Sequence, residues 1–111
     1  MGPNELSLVG KHVMKLLVER RFDELEKASN GVRLTAAEME DMLSDLSAPL
    51  TMPPEQNWKA LNVQAVRNWP GAFHVSMDLY TTRGKSDLTV ELTLHSRNGK
   101  PVIEVDDIQV R

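Results

Sequence analysis

From Phe73 to Arg111 apolar and polar residues alternate in three runs separated by glycine-containing turns, a period of two that only antiparallel β-structure satisfies well. Phe73, Val75, Met77 and Leu79 alternate with His74, Ser76, Asp78 and Tyr80, and Leu88, Val90, Leu92 and Leu94 alternate with Asp87, Thr89, Glu91, Thr93 and His95. A two-residue turn at Arg83-Gly84 predicts that Leu79 faces Leu88, Met77 Val90, Val75 Leu92 and Phe73 Leu94, so that apolar meets apolar at every rung. Sliding by one residue sets Tyr80 against Leu88 and fails. Asn98-Gly99 suits a type I′ turn, whose two central residues need positive φ, and places Leu94 opposite Ile103 and Leu92 opposite Val105. Continued further, that register puts Asp107 opposite inward Val90, although Ile108 and Val110 read as apolar again. One extra residue at Asp106-Asp107, a β-bulge, resolves the conflict and makes Asp107 the one acid with a route toward the core.

The N-terminal half is helical. Leu6, Val9, Val13, Leu16 and Leu17 recur at helical spacing against Lys11, His12, Lys15 and Glu19, predicting an amphipathic helix over roughly 5–19. A short second helix over 21–28 turns Phe22 and Leu25 inward, with Asn30-Gly31 as its stop. Thr35 and Glu38 form a capping box, Leu34 staples to Met39, and a third helix to Leu46 buries Met39, Met42, Leu43 and Leu46. Pro49, Pro53 and Pro54 make 47–57 a crossover, and Leu61, Val63 and Ala65 mark a first strand over 59–67. The expected fold is α+β: three N-terminal helices packed on one face of a curved four-stranded antiparallel meander. Residues 1–111 read as a single domain, with residues 1–4 a flexible or cloning-derived leader.

Composition narrows the function. An apolar content of 41% and a charged content of 26% are those of an ordinary globular domain. With no cysteine there are no disulfides, thiolate chemistry or cysteine-ligated zinc, as suits a reducing compartment. No run approaches the roughly 18 apolar residues that span a bilayer and no signal segment is seen, so the expected location is cytoplasmic without membrane association. The net charge of −3 argues against nucleic acid and for a basic partner.

The order of a helix, a short helix with Arg21-Phe22-Asp23, a third helix opened by Leu34-Thr35-Ala36-Ala37-Glu38, and a sheet resembles the nuclear-transport-factor-two-like, or cystatin-like, cone. More specifically, Gly84-Lys85-Ser86-Asp87-Leu88-Thr89-Val90-Glu91 and Asp106-Asp107-Ile108-Gln109-Val110 resemble an uncharacterised small bacterial domain family whose core reads GRSDLTLE and then DDIHVL. Gln109 stands where that family has histidine and Arg111 where it has an aliphatic residue. The resemblance implies a fold and brings no settled activity.

The candidate chemistry follows from the faces. The inward positions of the long strands are aliphatic, aromatic or methionine, which argues against an enzyme, since a catalytic acid or base needs a polar group inside an apolar pocket. His12, His74 and His95 lack metal-ligand spacing and read as solvated surface histidines, and the acids read as a solvated polar face with no metal or cofactor. Asp78, Asp87, Glu91, Glu104 and Asp106 spread across adjacent strands and give the sheet centre a negative potential, flanked by Tyr80, Trp58 and Trp69 as possible anchors. The expected function is a non-enzymatic protein-binding module: an immunity or inhibitor protein of bacterial or phage origin that neutralises a basic toxin or effector by occlusion. As the alternative, a small-molecule-binding or isomerase-like enzyme would use the interior of the cone with Asp107 as its acid. Either reading allows a monomer or a homodimer, because the last strand offers an edge.

Overall fold

The computed structural model describes residues 1–29 and 33–110. Helix α1 (Pro3–Val18) starts on a proline, whose missing N–H is no loss in a first turn, so the helix takes in two residues of the expected leader. Its buried residues include Leu6, Val9, Val13, Leu16 and Leu17, as the spacing predicts. The helix ends in a Schellman turn: the Arg20 N–H donates to the Leu17 carbonyl at 3.1 Å and the Arg21 N–H to the Leu16 carbonyl at 2.8 Å. This geometry holds Arg20 at φ 58°, a left-handed conformation that glycine usually fills.

Helix α2 (Phe22–Ala28) buries Phe22 and Leu25, and Ser29 leaves it in extended conformation. The Asn30-Gly31 stop lies outside the described residues. Helix α3 (Ala36–Leu43) opens on the expected capping box: the Glu38 N–H donates to Thr35 Oγ1 and the Thr35 N–H to Glu38 Oε1, both at 3.1 Å. It is shorter than expected because Ser44 bonds back to the Asp41 carbonyl through its hydroxyl at 2.6 Å, which leaves Leu46 half-buried in the following turn.

The proline segment is not only a crossover. Leu50–Thr51 forms a short strand, β1, which Pro49 and Pro53 keep from growing. Gln56–Lys59 forms one helical turn, α4, so the strand expected over 59–67 shrinks to Asn62–Ala65, β2. Strands β3 (Phe73–Thr81), β4 (Gly84–Arg97) and β5 (Lys100–Val110) follow. Strands β1 and β2 pair antiparallel with opposite ends of the same edge of β3, and β4 and β5 continue the sheet. The result is α+β with an open antiparallel sheet of five strands in place of four.

The register follows the alternation closely. Phe73 faces Leu94, Val75 Leu92, Met77 Val90, Leu92 Val105 and Leu94 Ile103. Asn98 and Gly99 take φ of 52° and 77°, as type I′ requires. The first turn differs: Thr81 pairs with Gly84, which puts Thr82-Arg83 at the tip, and the Leu79–Leu88 rung is lost to an irregularity between Asp78 and Tyr80. Side-chain hydroxyls stabilise that alternative. Thr81 Oγ1 accepts the Arg83 N–H at 3.1 Å, and Ser86 Oγ donates to the Leu79 carbonyl at 2.7 Å while accepting the Leu88 N–H at 3.1 Å.

The second bulge lies where the alternation breaks, because Leu92 faces Val105 but Glu91 faces Asp107, leaving Asp106 as the extra residue. The residues of a directly opposed pair share a face, so Asp107 lies with Glu91 on the side away from the helices and Ile108 returns to the core opposite Val90. Asp107 therefore has no route inward. The helix-facing side packs Val75, Leu79, Val90, Leu92, Leu94 and Val105 against Val13, Met14, Leu17, Leu25 and Met39, all without exposed surface. Strand β5 is not a fully open edge: Ser29 bridges to Ile103, and its Oγ accepts the Val105 N–H at 3.1 Å.

Two substitutions test this packing. Arg20→Gly should raise the unfolding free energy in urea by about 0.5–1 kcal/mol, because an L-residue in the left-handed region costs roughly 1–2 kcal/mol and only the weak contacts to Glu40 (3.4 Å) and the Phe22 ring (5.4 Å) are lost. A Cβ at Gly10 would lie 3.2 Å from Met77 Sδ and 3.8 Å from both Leu61 and Trp58, so Gly10→Leu should lower stability by about 1–3 kcal/mol through overpacking between α1 and β3.

Candidate functional site

The outward row of β4 is Thr89, Glu91, Thr93 and His95, flanked by His74, Ser76 and Asp78 on β3 and by Glu104, Asp106 and Asp107 on β5. A solvated polar face is the expectation for these residues, and it is wrong for half of them. Thr89 is 1% exposed, His95 6%, Ser76 and Glu91 8% and Glu104 9%. Burial on this scale requires that the polar groups satisfy one another.

Much of the face does so. Ser76 Oγ donates to Glu91 Oε2 at 2.7 Å, and His74 Nε2 lies 2.9 Å from Glu91 Oε1. Burial pushes the Glu91 carboxyl upward, but the hydrogen bonds of Ser76 and His74 outweigh it and hold the group below its ordinary value of 4.5. Thr93 Oγ1 donates to Asp106 Oδ2 at 2.6 Å, and Asp107 Oδ1 accepts the Ile108 N–H at 2.9 Å. Lys85 Nζ stands 3.6 Å from Asp78 Oδ2. Because Glu91 sits between Ser76 and His74, the serine proton is committed to the carboxylate. In a nucleophilic triad the histidine would occupy the middle position. Among the described residues no group of three or more His, Cys, Asp or Glu side chains is placed to hold a metal ion.

His95 is not a solvated histidine. The Trp69 ring stacks on it with centroids 4.6 Å apart and planes tilted by 47°, while His95 Nε2 lies 3.5 Å from Glu104 Oε2. Arg33, from the chain between α2 and α3, reaches the same place, with Nη1 3.5 Å from Asp106 Oδ1 and Nε 3.9 Å from Glu104 Oε1. Nothing local in the sequence announces that Arg33 belongs here. The pairing of His74 with Thr93 does place His74 diagonally from Glu91, a neighbour the register makes legible.

The sheet therefore brings Asp78, Glu91, Glu104 and Asp106 onto one face and adds Asp107. Asp87 is exposed within the first bulge, and Tyr80 is half-buried beside β1. The tryptophans part company. Trp69 is 41% exposed beside the acids, whereas Trp58 is buried on the helix side, where Ser7 Oγ donates to its carbonyl at 2.7 Å and Lys11 Nζ lies 5.6 Å from its ring. Trp58 and Tyr80 instead share a cleft of about 370 Å³ at the gap between β1 and β2, with Asn57, Asn62 and Asp78 also in its wall. Asp107 does not line it.

Residues 14–111 match a family model described as a domain of unknown function, DUF7668. The chain belongs to this family. The match agrees with the uncharacterised domain family expected from the two motifs, and it runs from the middle of α1 through all three strands that carry the polar face. No curated protein and no solved structure matches. None of the described helices is long and apolar enough to cross a membrane.

The pH dependence of the Glu91 cluster is a direct test. A carboxyl held lower in the fold than in the unfolded chain contributes stability that is complete above the unfolded value and fades as pH falls through the folded one. The wild type should lose unfolding free energy between about pH 5 and pH 3, and Glu91→Gln should show a shallower loss over that range. Parallel slopes in urea titrations would mean that Glu91 is no better accommodated in the fold than outside it.

Proposed function

We propose that this chain is a non-enzymatic protein-binding module, an immunity or inhibitor protein that neutralises a basic partner by covering it with the outward face of the β3–β4–β5 sheet. The observation that carries the reading is the placement of Asp78, Glu91, Glu104, Asp106 and Asp107 on one face, several of them pinned by hydrogen bonds from Ser76, Thr93 and the Ile108 N–H. Carboxylates already held in position lose little freedom when a cationic surface docks, and so many like charges on neighbouring strands are better tolerated beneath a basic partner. Trp69 adds a half-exposed aromatic next to these acids, the residue type that anchors interfaces. The filled core behind β4 supports occlusion over chemistry in the interior. On this reading the protein works in the bacterial cytoplasm on a cystatin-like cone, and the partner is a toxin or effector with a basic cleft.

A small-molecule reading has one observation in its favour, the cleft walled by Trp58, Tyr80 and Asp78. It opens at a break in the sheet rather than into the core, so Asp107 plays no part in it.

Charge reversal at the less buried acids separates the two. The tagged protein, an Asp78→Lys/Asp107→Lys variant and an Asp23→Lys/Asp41→Lys control on the helices are used for capture from the native host. A basic protein retained by the wild type and the control but lost at least tenfold by the sheet variant is the expected result. Identical capture by all three would remove the acidic face from the mechanism.

A further inference from the structure

The polar face is well bonded around Glu91 but not around Glu104. The Glu104 side chain forms no hydrogen bond among the described residues although the residue is nine-tenths buried, its nearest cationic or imidazole neighbours being His95 Nε2 at 3.5 Å and Arg33 Nε at 3.9 Å. Asp106 Oδ1 and His95 Nε2 are shut off from solvent and, among the described residues, form no hydrogen bond. Native folds leave few such atoms, since a buried polar group without a partner costs on the order of 1–3 kcal/mol and a charged one more. The neighbouring Asp106 Oδ2 is satisfied by Thr93, and Thr89 Oγ1 is the one other buried side-chain atom among the described residues left without a partner.

The missing atoms share a chemistry. Two carboxylates supply acceptors within one small area beside an imidazole nitrogen that accepts or donates according to its tautomer, and a donor-rich cation answers the acids. A guanidinium offers five N–H donors in a flat fork that can engage both acids at once, whereas an ammonium is a compact point charge. The chain itself already points one guanidinium at this place: Arg33 lies 3.5–3.9 Å from Asp106 and Glu104, too far for good hydrogen bonds, with its side chain 66% exposed. At that distance, with the guanidinium largely in water, the pair is worth little and is easily exchanged.

We propose that Glu104, Asp106 and His95 form an arginine seat, which receives the guanidinium of an exposed arginine on the protein partner, and that Arg33 is its intramolecular place-holder. Trp69 closes the ring face of His95, which leaves the Glu104 side of the imidazole for the incoming group. Arg33 competes as a tethered ligand, so the seat binds more tightly when Arg33 is removed. This inference rests on the protein-binding reading above and names the contact at its centre.

The test uses the full chain labelled with ¹⁵N, titrated with a capped glycine–arginine–glycine peptide and with its lysine counterpart, following amide and imidazole resonances by NMR. Saturable shifts at His95, Glu104 and Asp106 are expected with the arginine peptide, and binding at least tenfold weaker with the lysine peptide. Arg33→Ala should tighten the arginine peptide about threefold to tenfold, while Lys15→Gln, which removes an equal charge from α1, should leave it within twofold. Glu104→Gln should abolish the response. If that variant unfolds, Asp106→Asn carries the same expectation. Equal affinity for the two peptides, or an Arg33→Ala affinity no better than wild type, overturns the seat. Should that happen while partner capture still depends on Asp78 and Asp107, the wider reading stands without the arginine contact. A working seat in a protein whose captured partners ignore those two acids would overturn the wider reading instead.

Discussion

The middle of strand β4, from Thr89 to His95, is covered on both faces, and the rest of the molecule answers to that. On one side Val90, Leu92 and Leu94 meet the helices, an arrangement driven by apolar area leaving water. On the other side the strand carries Thr89, Glu91, Thr93 and His95, which cannot be hidden by oil without large desolvation costs. Their shelter is built from other polar groups. Ser76 and His74 come from β3, Glu104 and Asp106 from β5, and Trp69 from the turn before β3, each held in place by the register of the sheet.

The bulge at Asp106 keeps the two faces from contaminating each other. Without the extra residue, Asp107 would be driven beneath the helices against Val90, and an unpaired carboxylate there would be among the most damaging single features a small core can carry. With it, two adjacent acids fall on the same side and Ile108 rejoins the core. The device also treats the edge of the sheet. Ser29 covers the stretch of β5 around Ile103–Val105, and beyond it the bulge and the paired acids discourage another strand from adding on. A surface that resists strand pairing yet presents ordered carboxylates is better suited to recognising side chains than to extending a sheet.

Much of the fold was legible in the chain because short-range rules agreed. The alternation from Phe73 onward, the Asn98-Gly99 turn, the Thr35–Glu38 box and the apolar stripe of α1 each depend on neighbours a few residues away, and each forms. The bulge was visible as a conflict between two such rules. What escaped were cases in which side chains competed with the backbone: the hydroxyls of Thr81 and Ser86 moved the first turn by one residue, and Ser44 ended α3 early. The left-handed Arg20 escaped for the opposite reason, since nothing in an arginine marks a position that glycine prefers.

For the site, the sequence alone determined which residues share a face, because side chains in a strand point alternately to either side and the apolar set must face the helices. It could not determine how wet that face is. Exposure depends on what the chain places over a side chain, and here Trp69 and Arg33 arrive on His95, Glu104 and Asp106 from segments distant in sequence. For the same reason Trp58 and Trp69, which look alike as flanks of one strand, end on opposite sides of the sheet once α4 packs beneath α1. Chemical character was thus written locally, while burial, and with it the difference between a solvated charge and a poised one, was decided only by tertiary structure.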